Sequence, residues 1–261
     1  MMDKIIKTNL FDTHAHYDDK AYKNEANTLI QRILFDNVAG FIAVGCSLET
    51  IPKSIEISEK YENVYVSVGI HPHYVNELPD DYLSLLEDWT KLDKICAIGE
   101  TGLDYHYEGY SQENQIKVFR EQLVLAEKLK LPVIVHSRDA AADTMEVLRE
   151  LRPRAVMHCY SGSVEMAREL VKMGIFISFT GVITFKNARK AVEVCREISL
   201  DMMMLETDCP YMAPEPFRGK VCDSSMAWYT AEKIAEIKGI SVNEVVTICN
   251  NNAKRFFNIN F

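Results

Sequence analysis

No apolar run in the 261 residues approaches the roughly 20 needed to cross a bilayer, which excludes an integral helical membrane protein. Positive charge is scarce: 29 Lys and Arg face 38 Asp and Glu, a formal net charge of −9. So acidic a chain lacks the general basic surface that coats long duplex nucleic acid. An anion can still be held locally, by metal ions or a few converging cations. Cys-x-x-Cys pairs are absent. The seven cysteines (Cys46, Cys96, Cys159, Cys195, Cys209, Cys222 and Cys249) are odd in number and scattered, which argues against a disulfide framework and against a structural zinc knuckle. Most read as small buried thiols. The segment Met1–Lys7 has no apolar core and carries an acid, so it is a poor signal peptide, and the expected location is cytoplasmic. No Pro/Gly/Ser-rich linker or low-complexity tract divides the chain, so a single domain over 1–261 is expected. No obligate protein partner is evident. Apolar residues at 48% and charged residues at 26% form an ordinary globular mixture.

What is present is an alternation. Eight short apolar runs rich in Val and Ile occur at Ile6–Asp12, Phe41–Cys46, Val64–Ile70, Ile95–Glu100, Pro132–His136, Ala155–His158, Ile175–Thr180 and Met202–Asp208. They are apolar on consecutive positions, as strands buried on both faces are. Helical patterns separate them, near Asn24–Asp36, Glu49–Tyr61, Asp80–Lys91, Ser111–Lys130, Asp139–Leu151, Val164–Met173 and Asn187–Ile198, with Ser224–Lys238 after the last. A further helix opens at Ser241-Val242-Asn243-Glu244, which has the capping-box form. Eight β-then-α units predict a single (β/α)8 barrel with an extra C-terminal helix. The rival is a doubly wound open sheet, which would usually show a glycine-rich phosphate loop after its first strand. Here the first strand ends Phe11-Asp12-Thr13-His14-Ala15-His16, without glycine.

The ends of these runs carry the chemistry. His14 and His16 end the first and Glu100 the fourth. His136, His158 and Asp208 end the fifth, sixth and eighth; His71 and His73 follow the third. In a barrel all these C-terminal ends meet on one face. Six of the seven histidines converge there, and His106 lies further into a loop. Residues two apart on a strand point the same way, so His14 and His16 form a ready clamp. Four histidines and two carboxylates exceed the need of one tetrahedral zinc and suit two divalent ions about 3.5–4 Å apart sharing a carboxylate. Zinc, manganese, iron, cobalt and nickel match mixed nitrogen and oxygen ligands; magnesium, also a candidate, prefers more oxygen. No thiolate is needed. Cys159 and Cys209 flank two of these residues, and strand alternation turns them away.

These segments carry a family resemblance. Phe11–His16, Gly69-Ile70-His71-Pro72-His73, Gly99–Tyr105, Pro132–Ala140, His158-Cys159-Tyr160-Ser161-Gly162, Glu206–Tyr211, Arg218-Gly219-Lys220 and Asn252–Phe256 resemble, in order, the motifs of the TatD family of metal-dependent hydrolases and deoxyribonucleases. The resemblance implies that His14, His16, Glu100 and Asp208 hold one metal, that Glu100, His136 and His158 hold the other, and that Glu100 bridges them. It implies phosphodiester substrates, cut in the 3′-to-5′ exonuclease manner, with His71, Arg138 and the Arg218–Lys220 loop facing the phosphate. Two departures stand out. Many members continue Arg-Gly-Lys with Arg-Asn-Glu-Pro, where this chain has Val221-Cys222-Asp223-Ser224. An acidic position after the fifth-strand motif is Ala142 here, with Asp143 next.

The mechanism expected is hydrolytic. Two cations sharing a water lower its pKa from 15.7 towards roughly 7. Asp208 and Glu100 are the catalytic carboxylates, and Asp208 is the natural proton acceptor. Arg138 suits a bidentate phosphate contact, against an ion pair with Asp139 or Asp143; Arg218 and Lys220 form either a phosphate loop or a solvated turn. Asp12 is either an orienting group behind the histidine pair or a buried acid bonded to backbone, and Glu206 can point inward to support a ligand. Of His71 and His73, His71 is the better candidate for the mouth, because Gly69 suggests close backbone packing there. Tyr105, Tyr107, Tyr110 and Tyr160 fall on loops of the same face. The net charge favours DNA ends or short single-stranded oligonucleotides over tracking along duplex. The alternatives are a metal-dependent amidohydrolase or esterase acting on a small substrate, and a non-catalytic metal-stabilised scaffold.

Overall fold

The eight apolar runs fold as eight parallel strands: β1 (Leu10–Ala15), β2 (Val38–Gly45), β3 (Val64–Val68), β4 (Ile95–Asp104), β5 (Val133–Arg138), β6 (Ala155–Met157), β7 (Phe176–Phe179) and β8 (Met203–Leu205). The computed structural model describes residues 8–22, 25–109 and 111–261; the expected strand start at Ile6, the helix start at Asn24 and the loop residue Tyr110 lie outside them. The strands follow one another in chain order, each parallel to the next. Helices α1 (Ala26–Asp36), α2 (Ile51–Lys60), α3 (Tyr82–Trp89), α4 (Gln112–Leu129), α5 (Ala141–Leu151), α6 (Val164–Lys172), α7 (Arg189–Glu197) and α8 (Ala227–Lys238) separate and cover them, and α9 (Val242–Phe257) is the extra C-terminal helix. The result is a (β/α)8 barrel.

β1 and β8 close it. Ala15 bridges to Cys209, the His16 amide donates to the Cys209 carbonyl at 2.8 Å, and the Asp208 amide donates to the His14 carbonyl at 3.0 Å. The carboxylate of Asp12 stitches the same seam: Oδ1 accepts the amides of His14 and Thr207, and Oδ2 accepts the Thr207 hydroxyl. Burial pushes this acid up to about 7, against the Thr207 hydrogen bond that lowers it. Asp12 is thus a buried acid bonded mainly to backbone, and by that bonding it fixes the strand that carries His14 and His16.

Helix ends follow the sequence. Ser111 Oγ accepts the Asn114 amide at the start of α4, and Ser241 Oγ accepts the Glu244 amide at the start of α9, each at 3.2 Å. What α9 does was not foreseen: it seals the barrel floor. Ala253, Phe256, Phe257 and Ile259 join Phe11, Ile42, Ile134, Val156, Phe176 and Met204 in one buried cluster. Phe11 stacks on Phe261 at 4.1 Å, and Phe176 packs against Phe256 at 5.0 Å. Asn250 and Asn252 hold the helix there, bonding the backbone of Asn9 and Phe11, and of Leu200 and Met203. No helix among the described residues is long and apolar enough to cross a membrane.

Candidate metal centre

Two strands depart from regular pairing where the ligand candidates sit. On β1, Asp12 pairs with Phe41 and Ala15 with Ala43, so three steps advance opposite two. On β4, Ile98 pairs with Val133 and Thr101 with Val135, again three against two. Such bulges re-aim side chains. Here they turn His14 and Glu100 inward at full burial. The backbones of β3 and β4 approach so closely beside Glu100 that a Cβ on Gly69 would lie 2.6 Å from the Gly99 Cα. Past β8, Asp208 adopts the left-handed region, φ +59°, sparsely populated for residues with a Cβ.

The carboxylate of Glu100 divides the histidines into two groups. Oε2 lies 3.3 Å from His14 Nε2 and 3.8 Å from His16 Nε2, and these nitrogens lie 3.7 and 3.3 Å from Asp208 Oδ1. Oε1 lies 2.8 Å from both His136 Nδ1 and His158 Nε2. Within each pair the facing nitrogens are 3.1 Å apart. The far sides of the second pair face carboxylates. His136 Nε2 lies 3.3 Å from Asp104 Oδ2, and His158 Nδ1 lies 3.5 Å from Glu206 Oε1, which also accepts the Cys159 amide. A carboxylate behind a ligating imidazole fixes its ring and tautomer.

The electrostatics match this donor set. Burial raises the carboxyl of Glu100, but His158, His71 and His14 hold it well below the usual carboxylate range. Asp208 is likewise raised by burial and brought below its ordinary value by His16, His158 and His14. Burial disfavours charge on His136 and His158; Asp104 and Glu100 outweigh it for the first, Glu100 and Glu206 for the second, and both imidazoles move up. The carboxylates are therefore ionised as metal ligands must be, and the field between them favours a cation. His14 Nε2 faces Glu100 and Asp208, so it is the nitrogen offered inward, and the ring's Nδ1 is buried without a hydrogen-bond partner. The residues fit divalent ions.

The family model of TatD-related DNases matches residues 11–258. The chain belongs to the TatD family. The metal-dependent hydrolase YabD of Bacillus subtilis is 41% identical over 254 residues, covering 96% of this chain and 100% of its own. The metal-dependent hydrolase YcfH of Escherichia coli K12 is 34% identical over 259 residues, covering 96% of each. The crystal structure of the TatD homolog YjjV from Escherichia coli K12 superposes with a TM-score of 0.91 at 28% identity, covering 96% of this chain and 98% of that one.

Around the TatD-type centre the expected substrate residues are less uniform. His71 Nε2 lies 3.8 Å from Glu100 Oε1, while its Nδ1 accepts the His73 amide at 3.2 Å. That bond places the ring hydrogen on Nε2, so His71 faces the mouth as a donor. Burial keeps it neutral, well below its ordinary pKa. Arg138 is exposed and pairs with neither Asp139 nor Asp143 (these face His106 and Tyr105); its guanidinium lies over the Tyr107 ring at 5.2 Å. Arg218 lies over Phe185 at 4.3 Å, and Lys220 is exposed; no contact joins either to the cluster among the described residues. Tyr160, expected on the open face, is buried with its hydroxyl on the Ser163 carbonyl. Cys159 and Cys209 do stay out of the cluster: Cys159 Sγ meets Thr180 and Cys209 is fully buried.

Two residues near the site, Asp104 and Cys46, were missed, and a third, His73, was ranked below His71. Asp104 Oδ2 sits between His136 and His73, 3.0 Å from His73 Nε2; its place four residues after Glu100, on the same strand, was the available signal. His73 therefore reaches the mouth beside His71. Cys46 directly follows β2, with Sγ 3.5 Å from Glu100 Oε2 and 3.9 Å from His16 Nδ1. Its burial pushes the thiol up to about 12. The end of an apolar run marked Cys46 as it marked the histidines, but a half-buried cysteine there is indistinguishable in sequence from a packed one.

Proposed function

We propose that this chain is a divalent-metal-dependent hydrolase of phosphodiesters, acting in the cytoplasm as a 3′-to-5′ deoxyribonuclease on DNA ends or short single strands. The observation that carries the metal chemistry is the split of the Glu100 carboxylate, one oxygen toward His14 and His16, the other toward His136 and His158. On this reading His14, His16, Glu100 and Asp208 hold one ion, and Glu100, His136 and His158 the other. Bound there, two zinc, manganese or magnesium ions supply an acidified water and charge to offset the transition state. The ligand set, the donor at His71 and the family support the reading together.

The residues divide the remaining work. Asp208 is the ligand carboxylate more open to the mouth, its side chain 14% exposed against 4% for Glu100, and it accepts the proton from the attacking water. His71 Nε2–H donates to a phosphate oxygen. Asp104 and Glu206 keep His136 and His158 in their orientation. Arg138, at the rim, holds a phosphate oxygen with its planar fork; Arg218 and Lys220 contact the strand further out. A panel of single-stranded DNA, duplex DNA, RNA and a small carboxylic ester, offered to the metal-loaded protein, tests this. Cleavage of the DNA single strand, fastest of the four, is expected; turnover of the ester alone would replace this function with that of an esterase on the same centre.

A further inference from the structure

Large exposed apolar side chains are few, and they gather at one end. Among the described residues there are eight: Phe35, Tyr74, Leu92, Tyr107, Val124, Tyr211, Met212 and Val221. Phe35, Leu92 and Val124 lie on or beside outer helices and are isolated from one another in sequence. The other five follow β3, β4 and β8, on the loops around the candidate metal centre. Scattered single exposures are ordinary; a concentration at the mouth of a site is informative.

The three tyrosines of this group are about half exposed, at 49%, 50% and 52% for Tyr74, Tyr107 and Tyr211. Each ring meets a histidine of the mouth: Tyr74 lies 6.4 Å from His71, Tyr107 lies 5.2 Å from His73, and Tyr211 lies 6.5 Å from His16. The hydroxyls of Tyr211 and Tyr107 have these partners. Tyr211 donates to Asp19 Oδ2 at 2.7 Å, and Tyr107 accepts from Arg138 Nη1 at 3.4 Å. Each hydroxyl bond restrains its ring on the loop and favours the orientation with its open surface at the mouth. The strand order sets the two apart. Tyr107 belongs to the β3–β5 side, with Arg138 over its ring; Tyr211 belongs to the seam of β1 and β8, next to Met212 and Val221. Glu100 and its histidines lie between.

We propose that Tyr107 with Arg138, and Tyr211, are two stacking shelves for unpaired nucleobases on either side of the phosphate that the centre binds. The occupant follows from the surface: a flat, partly apolar group, joined to an anion, matches an open aromatic ring next to a guanidinium and a cation site. A base inside a duplex is covered on both faces by its neighbours and cannot stack here, so the shelves select frayed ends and single strands. The chain needs no basic stripe for this, which agrees with its net charge of −9. Stacking on an aromatic side chain tolerates any base.

This rests on the reading of the centre as a phosphate site, and binding tests it apart from catalysis. Thymidine 5′-phosphate and thymidine 3′-phosphate are titrated calorimetrically into the metal-loaded protein, alongside the corresponding deoxyribose phosphates without a base. The base should tighten binding about 5- to 150-fold in at least one of the two series. Tyr107→Leu and Tyr211→Leu keep apolar area and remove the ring; each should cut that advantage for the base on its side, with metal content unchanged. Equal binding with and without the base, or an advantage surviving in both variants, overturns the proposal. A base-dependent advantage in a protein that cleaves no phosphodiester upholds the shelves and overturns the hydrolytic reading instead.

Discussion

At the floor of the barrel, Phe11, Phe176, Phe256, Phe257 and Phe261 close the strands' N-terminal ends with packed rings and buried backbone bonds from Asn250 and Asn252. Toward the other end the barrel strands carry His14, Glu100 and His158, as deeply enclosed as that floor but chargeable, with His136 half-buried beside them. The floor gains from apolar area removed from water, and its Asn250 and Asn252 side chains are bonded to backbone. The mouth sets histidine nitrogens 3.1 Å apart around a carboxylate, an arrangement that only protons or cations can hold together. The lesson is a division of labour along the barrel axis. The docking of α9 adds apolar burial at one end, and the bulges on β1 and β4 lie where the candidate ligands sit at the other.

This division can be broken from either end. Asp208→Asn preserves side-chain volume and should lower kcat about 10²- to 10⁴-fold while far-ultraviolet circular dichroism and the thermal midpoint stay near native. A large fall in midpoint would make the mouth structural. In the opposite sense, Phe256→Ala should cost about 3–5 kcal/mol of unfolding free energy in denaturant titrations. Metal content per folded chain should remain unchanged; loss of metal at temperatures where the variant is folded would join the two ends that the account separates.

Two smaller changes sharpen the picture within the mouth. Arg138→Lys keeps the charge but removes the fork, and should reduce kcat/KM on a nucleotide phosphodiester by about 10- to 150-fold, leaving any neutral ester unaffected. Equal losses on both substrates would place Arg138 in support of the fold. Asp104→Asn removes the carboxylate behind His136 and should weaken metal binding about 10- to 100-fold by chelator competition. Unaltered affinity would show that packing alone orients His136.

The sequence made the barrel legible because every strand is buried on both faces, so each announces itself as a short continuous apolar run. Its limits were at the edges. The Asp208 run was extended past β8, which ends at Leu205, because a strand and the extended loop continuing it share the same pattern. The six strand-end residues could be picked out because a polar group at the end of an apolar run is rare. Asp104 was hidden by being four places further along β4, and His73 was set aside as the less favourable of a pair. The docking of α9 was invisible, since a helix's apolar face does not state which surface it covers. Arg218 and Lys220 were singled out by their motif, yet Arg218 settles over Phe185, a partner 33 residues away that no local pattern points to.

The central claim is that the two oxygens of Glu100 serve two metal ions. Purified protein, loaded with zinc and dialysed, can be measured for bound metal by atomic emission, and its crystals for the ion positions by anomalous scattering. Two ions per chain are predicted, about 3.5–4 Å apart on opposite sides of the Glu100 carboxylate, with both reduced or lost in Glu100→Gln. A single ion in the wild type, or two ions retained undiminished in Glu100→Gln, would contradict the account.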